Sequence, residues 1–271
     1  MSEILETRYL SSIIRISAHD RNMNMPNFTS ANFEINVPNS VRSLKNVVAL
    51  SIQSVQLPHM FYNVYNATLK YIRVSDGAQR ELLVDDGQYT IDQLMDHIVV
   101  KFNAYEPNGA MVYNSTSSQN PDLNDITQKL TLNFGMDIKI QSGTDCKLGE
   151  ILGFSHDGTV YATTNNAITA PFVFDLSGND CVYIHSKTLS NGASDLEVNL
   201  KNVHSIVAVP LDVFFGETAY YSNKSNGSNL IKFNSPRNIT HIPISIKDNR
   251  GNQLSIQGAD WTMVIKVYYV L

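Results

Sequence analysis

The residues that could do chemistry in this chain are dispersed. The seven histidines are His19, His59, His97, His156, His185, His204 and His241, and no two share the short spacing of a metal site or a base–nucleophile pair. The run His19–Asn22 (HDRN) holds an acid and a base side by side, but a polar loop end holds both as a matter of course. Asp85–Gly87 (DDG) and Asp122–Asp125 (DLND) offer carboxylates to a calcium ion. Neither has the ligand spacing of a calcium loop, and turn chemistry accounts for Asp-Gly by itself. Asp248–Asn252 (DNRGN) reads the same way, as a hairpin connection. GxSxG, HExxH, GxGxxG and phosphate-loop patterns are all missing. The expectation is a protein that is not an enzyme, with no catalytic, cofactor-binding or metal-binding residue to assign. Tyr220 and Tyr221, beside Asn223 and Lys224, make the best aromatic patch for a sugar or a base, though core or loop packing is the better reading of such a pair.

The elements around these residues are strands. Ser11–Ser17 (SSIIRIS) is short and β-branched, and Phe33, Ile35 and Val37 alternate with Glu34 and Asn36 until Pro38 ends the run. In Asn46–Pro58, Val48, Leu50 and Ile52 share one parity, whereas Val55 and Leu57 take the other. A phase change inside one strand predicts a bulge or a bend between sheets. Further strands are expected in QKLTLNF, DIKI, Cys181–Ser186, DLEVNL, Ser205–Leu211, HIPISIK and NQLSIQ. In the last, WTMVIKVYYVL, Trp261, Met263, Ile265, Val267, Tyr269 and Leu271 fall on one face. One segment departs from period two. Ile91, Leu94, Met95, Ile98 and Phe102 recur at helical spacing over about Ile91–Asn103, with Thr90 and Gln93 placed to form a capping box. His97 lies off that stripe and is expected at the surface.

A dozen or so strands with one good helix, and no alternation of strand and helix, predict an all-β antiparallel sandwich, best a single jelly roll. Residues 76–170 hold the helix and a long polar stretch, and are expected to form an inserted or outer, β-rich subdomain within one unit spanning residues 1–271.

Composition narrows the class. The chain has 271 residues, is 43% apolar and carries a net charge of −5. That balance excludes specific nucleic-acid binding driven by charge. Charged residues make up 17%, below the roughly 25% usual in soluble proteins. Either much of the surface is covered by a partner, or it is solvated by Asn, Ser and Thr, in which the chain is also rich. Residues 1–80 carry eight basic and five acidic groups, and residues 81–160 four and twelve. The middle third is the expected outward region. Cys146 and Cys181 make no disulfide framework, which suits a reducing compartment. Met1–Arg8 lacks the basic start and apolar core of an export signal, and no apolar run reaches the roughly 18 residues of a transmembrane helix.

Several motifs, taken in order, resemble the penton (vertex) proteins of large double-stranded DNA viruses and their virophages, the lineage with jelly-roll capsid proteins. They begin at Arg15–Asn22 (RISAHDRN) and continue through NFEINVPNSVRSLKNVVALSIQSVQLPHMFYNV, DDGQYTIDQLMDHI, KLGEILGF (Lys147–Phe154), DLSGNDCVYIHSKTL, VAVPLDVFFGETAYY and DNRGNQLSIQGADWTMVIKVYY. The family's usual opening has Ser-Arg-Asp or Thr-Arg-Asp where this chain has Ala18–Asp20 within SAHDRN. The resemblance implies a structural capsid protein of the virion, assembled inside the host cell. Five copies would plug an icosahedral vertex as a pentamer and contact trimers of the major capsid protein, with a host receptor or a vertex fibre as further partners. The N-terminal arm, with Ile4, Leu5, Tyr9 and Leu10, is the segment expected to touch a partner, or else to pack on its own sandwich. The alternatives are another minor capsid protein of the same virion, or a β-sandwich receptor- or glycan-binding module.

Overall fold

A computed structural model describes residues 9–20, 29–37, 44–113, 123–124, 127–143, 145–190, 204–223 and 230–271. The chain divides into two compact units, residues 1–61 with 179–271, and residues 62–178.

The first unit is built from β1 (Leu10–Ser17), β2 (Asn32–Asn36), β3 (Val47–Pro58), β10 (Cys181–His185), β11 (Ser205–Pro210), β12 (Thr218–Ser222), β13 (Ile231–Arg237), β14 (His241–Lys247) and β15 (Thr262–Tyr269). One sheet runs β1-β15-β3-β12, with β13 also on β3, and the other runs β11-β10-β14-β2. All these pairings are antiparallel. The β12 strand covers the Ser54–Pro58 end of β3 and β13 the Val47–Leu50 end, so the two act as one interrupted strand. Counted that way the described residues of the unit form eight strands, and first pairs with last, second with seventh, third with sixth and fourth with fifth. This is the pattern of a long hairpin rolled into two sheets, a jelly roll.

Alternation decides which faces meet. In β15, Met263, Ile265 and Val267 are buried while their neighbours are not. Ile242, Ile244 and Ile246 do the same in β14. Trp261, just before β15, lies 5.8 Å from Phe33 of β2, ring to ring, and so joins the two sheets. The phase change in β3 is a bulge: Val264 pairs with Ser54 and Ile265 with Ile52, leaving Gln53 as the extra residue. A second shift skips Val48, and Val47 rather than Val48 is the residue turned into the core.

Two expected strands fare differently. NQLSIQ is not a strand. Gln253 makes a single bridge to Lys247, and Leu254 N donates to Ile246 O of β14 at 3.0 Å, but the contact does not extend into a ladder, although Leu254 and Ile256 are buried. Leu271, expected on the inner face of the last strand, is 96% exposed beyond its end. DLEVNL lies outside the described residues.

The second unit holds β4 (Ala67–Arg73), β5 (Gln79–Val84), β6 (Thr131–Asn133), β7 (Ile138–Gln141), β8 (Val160–Ala162), β9 (Ala167–Thr169), and two helices, α1 (Ile91–Tyr105) and the short α2 (Lys147–Ile151). Its sheets run β5-β4-β7-β8 and β6-β9. The α1 capping box forms as the sequence predicts: Thr90 Oγ1 accepts from Gln93 N, and Gln93 Oε1 accepts from Thr90 N. Leu94, Met95, Ile98 and Phe102 are buried on one face of α1 in a core that includes Leu69, Tyr71, Leu82 and Ile140. Among the described residues no helix is long and apolar enough to cross a membrane.

Candidate interaction surface

Side chains that hinted at chemistry are occupied in building turns and cores. Asp248 is buried, and its carboxylate accepts from Arg250 N, Asn252 N and Asn252 Nδ2, which closes the DNRGN turn. Asp86 Oδ1 accepts from Asn66 N. Asp85 meets Lys101 Nζ at 2.8 Å and His97 Nε2 at 3.1 Å, and the Lys101 hydrogen bond above all holds its carboxyl below the usual carboxylate range. His97 is therefore partly buried, ring against ring with Tyr89, rather than free at the surface. His19 faces Asp260 at 3.5 Å on open surface, and Arg21 and Asn22 of the same motif lie outside the described residues, as do Asp122 and Asp125. His59 Nδ1 meets the Val213 carbonyl at 2.7 Å, between the rings of Phe61 and Phe215. Burial raises the thiol pKa of both Cys146 and Cys181, which disfavours a reactive thiolate. Among the described residues, no three His, Cys, Asp or Glu side chains gather as a metal site.

What the first unit does present is apolar surface. The β1 strand is an edge strand whose described pairings are all to β15. Its register sets Ile14 and Ile16 opposite Ile265 and Met263, on the inner face. Ile13, opposite Lys266, points the other way and is 69% exposed. Tyr9, just ahead of the strand, is 62% exposed, and Leu10, on the parity of Ile14, is 38% exposed at the strand's start. An edge strand presents a row of free N–H and C=O groups, and natural proteins usually blunt it with charge, proline or a bulge. On its outward face β1 carries one charge, Arg15.

The opposite edge of the same sheet is β12 and β13. Pro236 lies in β13, where proline removes a donor and discourages pairing. Tyr220 of β12 is 70% exposed, and Phe214, in the loop before it, 83%. Glu217 holds that loop, its Oε2 accepting from Phe214 N and its N–H donating to Phe214 O. The sheet thus carries two distinct apolar patches on its two edges. Of the expected contact residues, Tyr9 and Leu10 are exposed at the start of β1, Leu10 on the parity opposite to Ile13, and Ile4 and Leu5 lie outside the described residues. Sequence reasoning missed Ile13 and Phe214. The parity of Ile13 against Ile14 and Ile16 was its available signal, whereas nothing in the sequence separates Phe214 from the packed Phe215.

No family model matches the chain, and no curated protein does. Among solved structures, it is similar to the crystal structure of the mavirus penton protein, at 10% identity and a TM-score of 0.45, over 97% of this chain and all of that one. It is also similar to a chain in the 3.5 Å cryo-EM structure of the Sputnik virophage, at 10% identity and a TM-score of 0.42, over 96% of this chain and 98% of that one.

Proposed function

We propose that this chain is a structural capsid subunit of the penton type. Five copies close around a vertex axis of the virion shell, and the ring contacts trimers of the major capsid protein. The observation that carries the reading is the exposure of different apolar side chains at opposite edges of one sheet, Tyr9, Leu10 and Ile13 at the β1 edge and Phe214 and Tyr220 at the β12 edge. A cyclic ring needs a heterologous contact, in which one patch of each subunit meets a different patch of the next. A jelly roll supplies the rigid body, and the ordered sequence motifs agree with it. In this reading a second copy of the chain is also the partner of the arm residues Ile4 and Leu5. The unit formed by residues 62–178 is the outer subdomain in this reading, since it holds most of the acidic middle third. The role is architectural rather than catalytic, and the place of work is the capsid shell.

Light scattering coupled to size separation, followed by electron microscopy of the purified protein, tests it. Five-fold rings, alone or on co-expression with a major capsid protein, are the expected result. A monomer at all concentrations that never enters a shell overturns it.

The exposure of Tyr220 also favours a second reading, a glycan- or receptor-binding sandwich, because a flat aromatic ring on a strand suits sugar stacking. Saturable binding on a glycan array, abolished in Tyr220→Ala, is its test.

A further inference from the structure

The outer face of the β11-β10-β14-β2 sheet carries a cleft of about 240 Å³ that the capsid reading does not use. We propose that it is an oxyanion site for a phosphate group. Strand register builds its floor. His185 of β10 pairs with Ser245 of β14, and Ser245 pairs with Asn32 of β2. An imidazole, a hydroxyl and an amide therefore lie in one row across three strands, on the face opposite the buried Ile244 and Ile246. Lys247, two residues along β14, and Lys187, just past β10, also line the cleft, with His204. Ser190 Oγ meets His204 Nδ1 at 3.0 Å and fixes that ring.

The charge of this lining is one-sided. Two lysines carry charge at neutral pH, and both imidazoles can donate an N–H in either protonation state. No carboxylate lines the cleft. Asp248, the residue after Lys247, spends its carboxylate on the N–H groups of its own turn. A chain of net charge −5 here gathers two lysines with neutral donors, with Glu34, opposite Pro243, at the border of the row. Two lysine charges match a phosphate dianion better than a single carboxylate, and the hydroxyl and amide donors suit its several oxygens.

Calorimetric titration of the full chain with inorganic phosphate, in chloride at constant ionic strength, tests the proposal. Saturable binding is expected. The variant Lys187→Gln/Lys247→Gln should weaken it about tenfold or more, as loss of charged hydrogen bonds does. The variant Lys139→Gln/Lys232→Gln removes the same charge elsewhere and should leave affinity unchanged. Absence of saturable heat, or equal weakening in both variants, overturns the site. Glycerol 3-phosphate provides a second arm: tighter binding than phosphate assigns the site to a phosphate carried on a larger molecule, and equal or weaker binding assigns it to the free ion.

Discussion

Trp261 donates its indole N–H to the Ser30 carbonyl at 2.7 Å, joining residues 231 positions apart in the chain. The same ring packs on Phe33, and the backbone carbonyl of Trp261 accepts from Ala18 N at 2.9 Å. One residue thus fastens the entry of β15, the end of β1 and the turn before β2. It is also the chain's single tryptophan. Replacing it with Ala should cost the first unit on the order of 3–5 kcal/mol, the range for a large core aromatic. Trp261→Phe keeps most of the packing but orphans the buried carbonyl, at about 1–3 kcal/mol. Urea unfolding followed by circular dichroism measures both. In the unsubstituted protein, indole fluorescence should report the first unit.

Gln53 is the extra residue of the β3 bulge, and its carbonyl accepts from Asn223 N at 2.9 Å. Because Gln53 is the extra residue, its deletion leaves Ile52, Val55 and Leu57 in plain alternation on the buried face. The deletion should still fold, whereas inserting one Ala between Val55 and Gln56 turns Leu57 to the opposite face and should abolish soluble folding. Loss of folding in the deletion would contradict the bulge.

Glu106 is buried at the end of α1, with Tyr71 OH at 3.1 Å, Arg73 Nη1 at 3.0 Å and Arg80 Nε at 3.7 Å. Glu106→Ala removes the buried acceptor of the Tyr71 hydroxyl, while Arg73 keeps Asp76, and should cost about 1–3 kcal/mol in the second unit. Burial first, then the Glu106 charge, raises the Tyr71 phenol above its ordinary value. The folded state therefore holds that proton more tightly than the unfolded chain. Its stabilisation is intact below the ordinary tyrosine range near 10 and falls as pH rises beyond it. Thermal midpoints between pH 8 and 11 should fall more steeply for the unsubstituted protein than for Tyr71→Phe.

Asp157 works in the other direction. The Ser155 hydroxyl, then the Thr159 hydroxyl and N–H, hydrogen-bond its carboxylate and lower its pKa to about 2. What the ionised form contributes to the turn is whole above the ordinary aspartate value near 3.9 and is lost as pH falls toward 2. Titration of the Asp157 carboxyl by NMR should show an inflection well below that of an unstructured aspartate, moving upward in Ser155→Ala.

The β1 patch separates assembly from stability. Tyr9→Ser/Leu10→Ser/Ile13→Lys alters exposed side chains, so the thermal midpoint of the monomer should change little. Ring formation should be lost, since burying each apolar side chain contributes about 1.5–3 kcal/mol to the contact. Sedimentation velocity decides it, and rings that persist in the triple variant would exclude β1 from the interface.

Local patterns carried much of this structure. Thr90 and Gln93 announced the start of α1 because a capping box closes within four residues. The parity break between Ile52 and Val55 announced a bulge because alternation tells which side chain faces the core. Alternation does not tell whether a partner strand is present. Leu254 and Ile256 alternate like a strand and are buried like one, yet their segment meets β14 only at the Gln253 bridge and the Leu254 N to Ile246 O bond, too little for a ladder. The β4 strand, with Ala67, Leu69 and Tyr71 buried, escaped notice in the sequence because Ala67 is small and Tyr71 ambiguous. Long-range closure belongs to the tertiary structure alone. That β1 pairs with β15, that β12 and β13 share β3, and that Ile13 and Tyr220 lie on opposite edges of one sheet follow from contacts between residues far apart in the chain. Such pairings depend on the joint packing of both sheets, and no short stretch of sequence contains both partners.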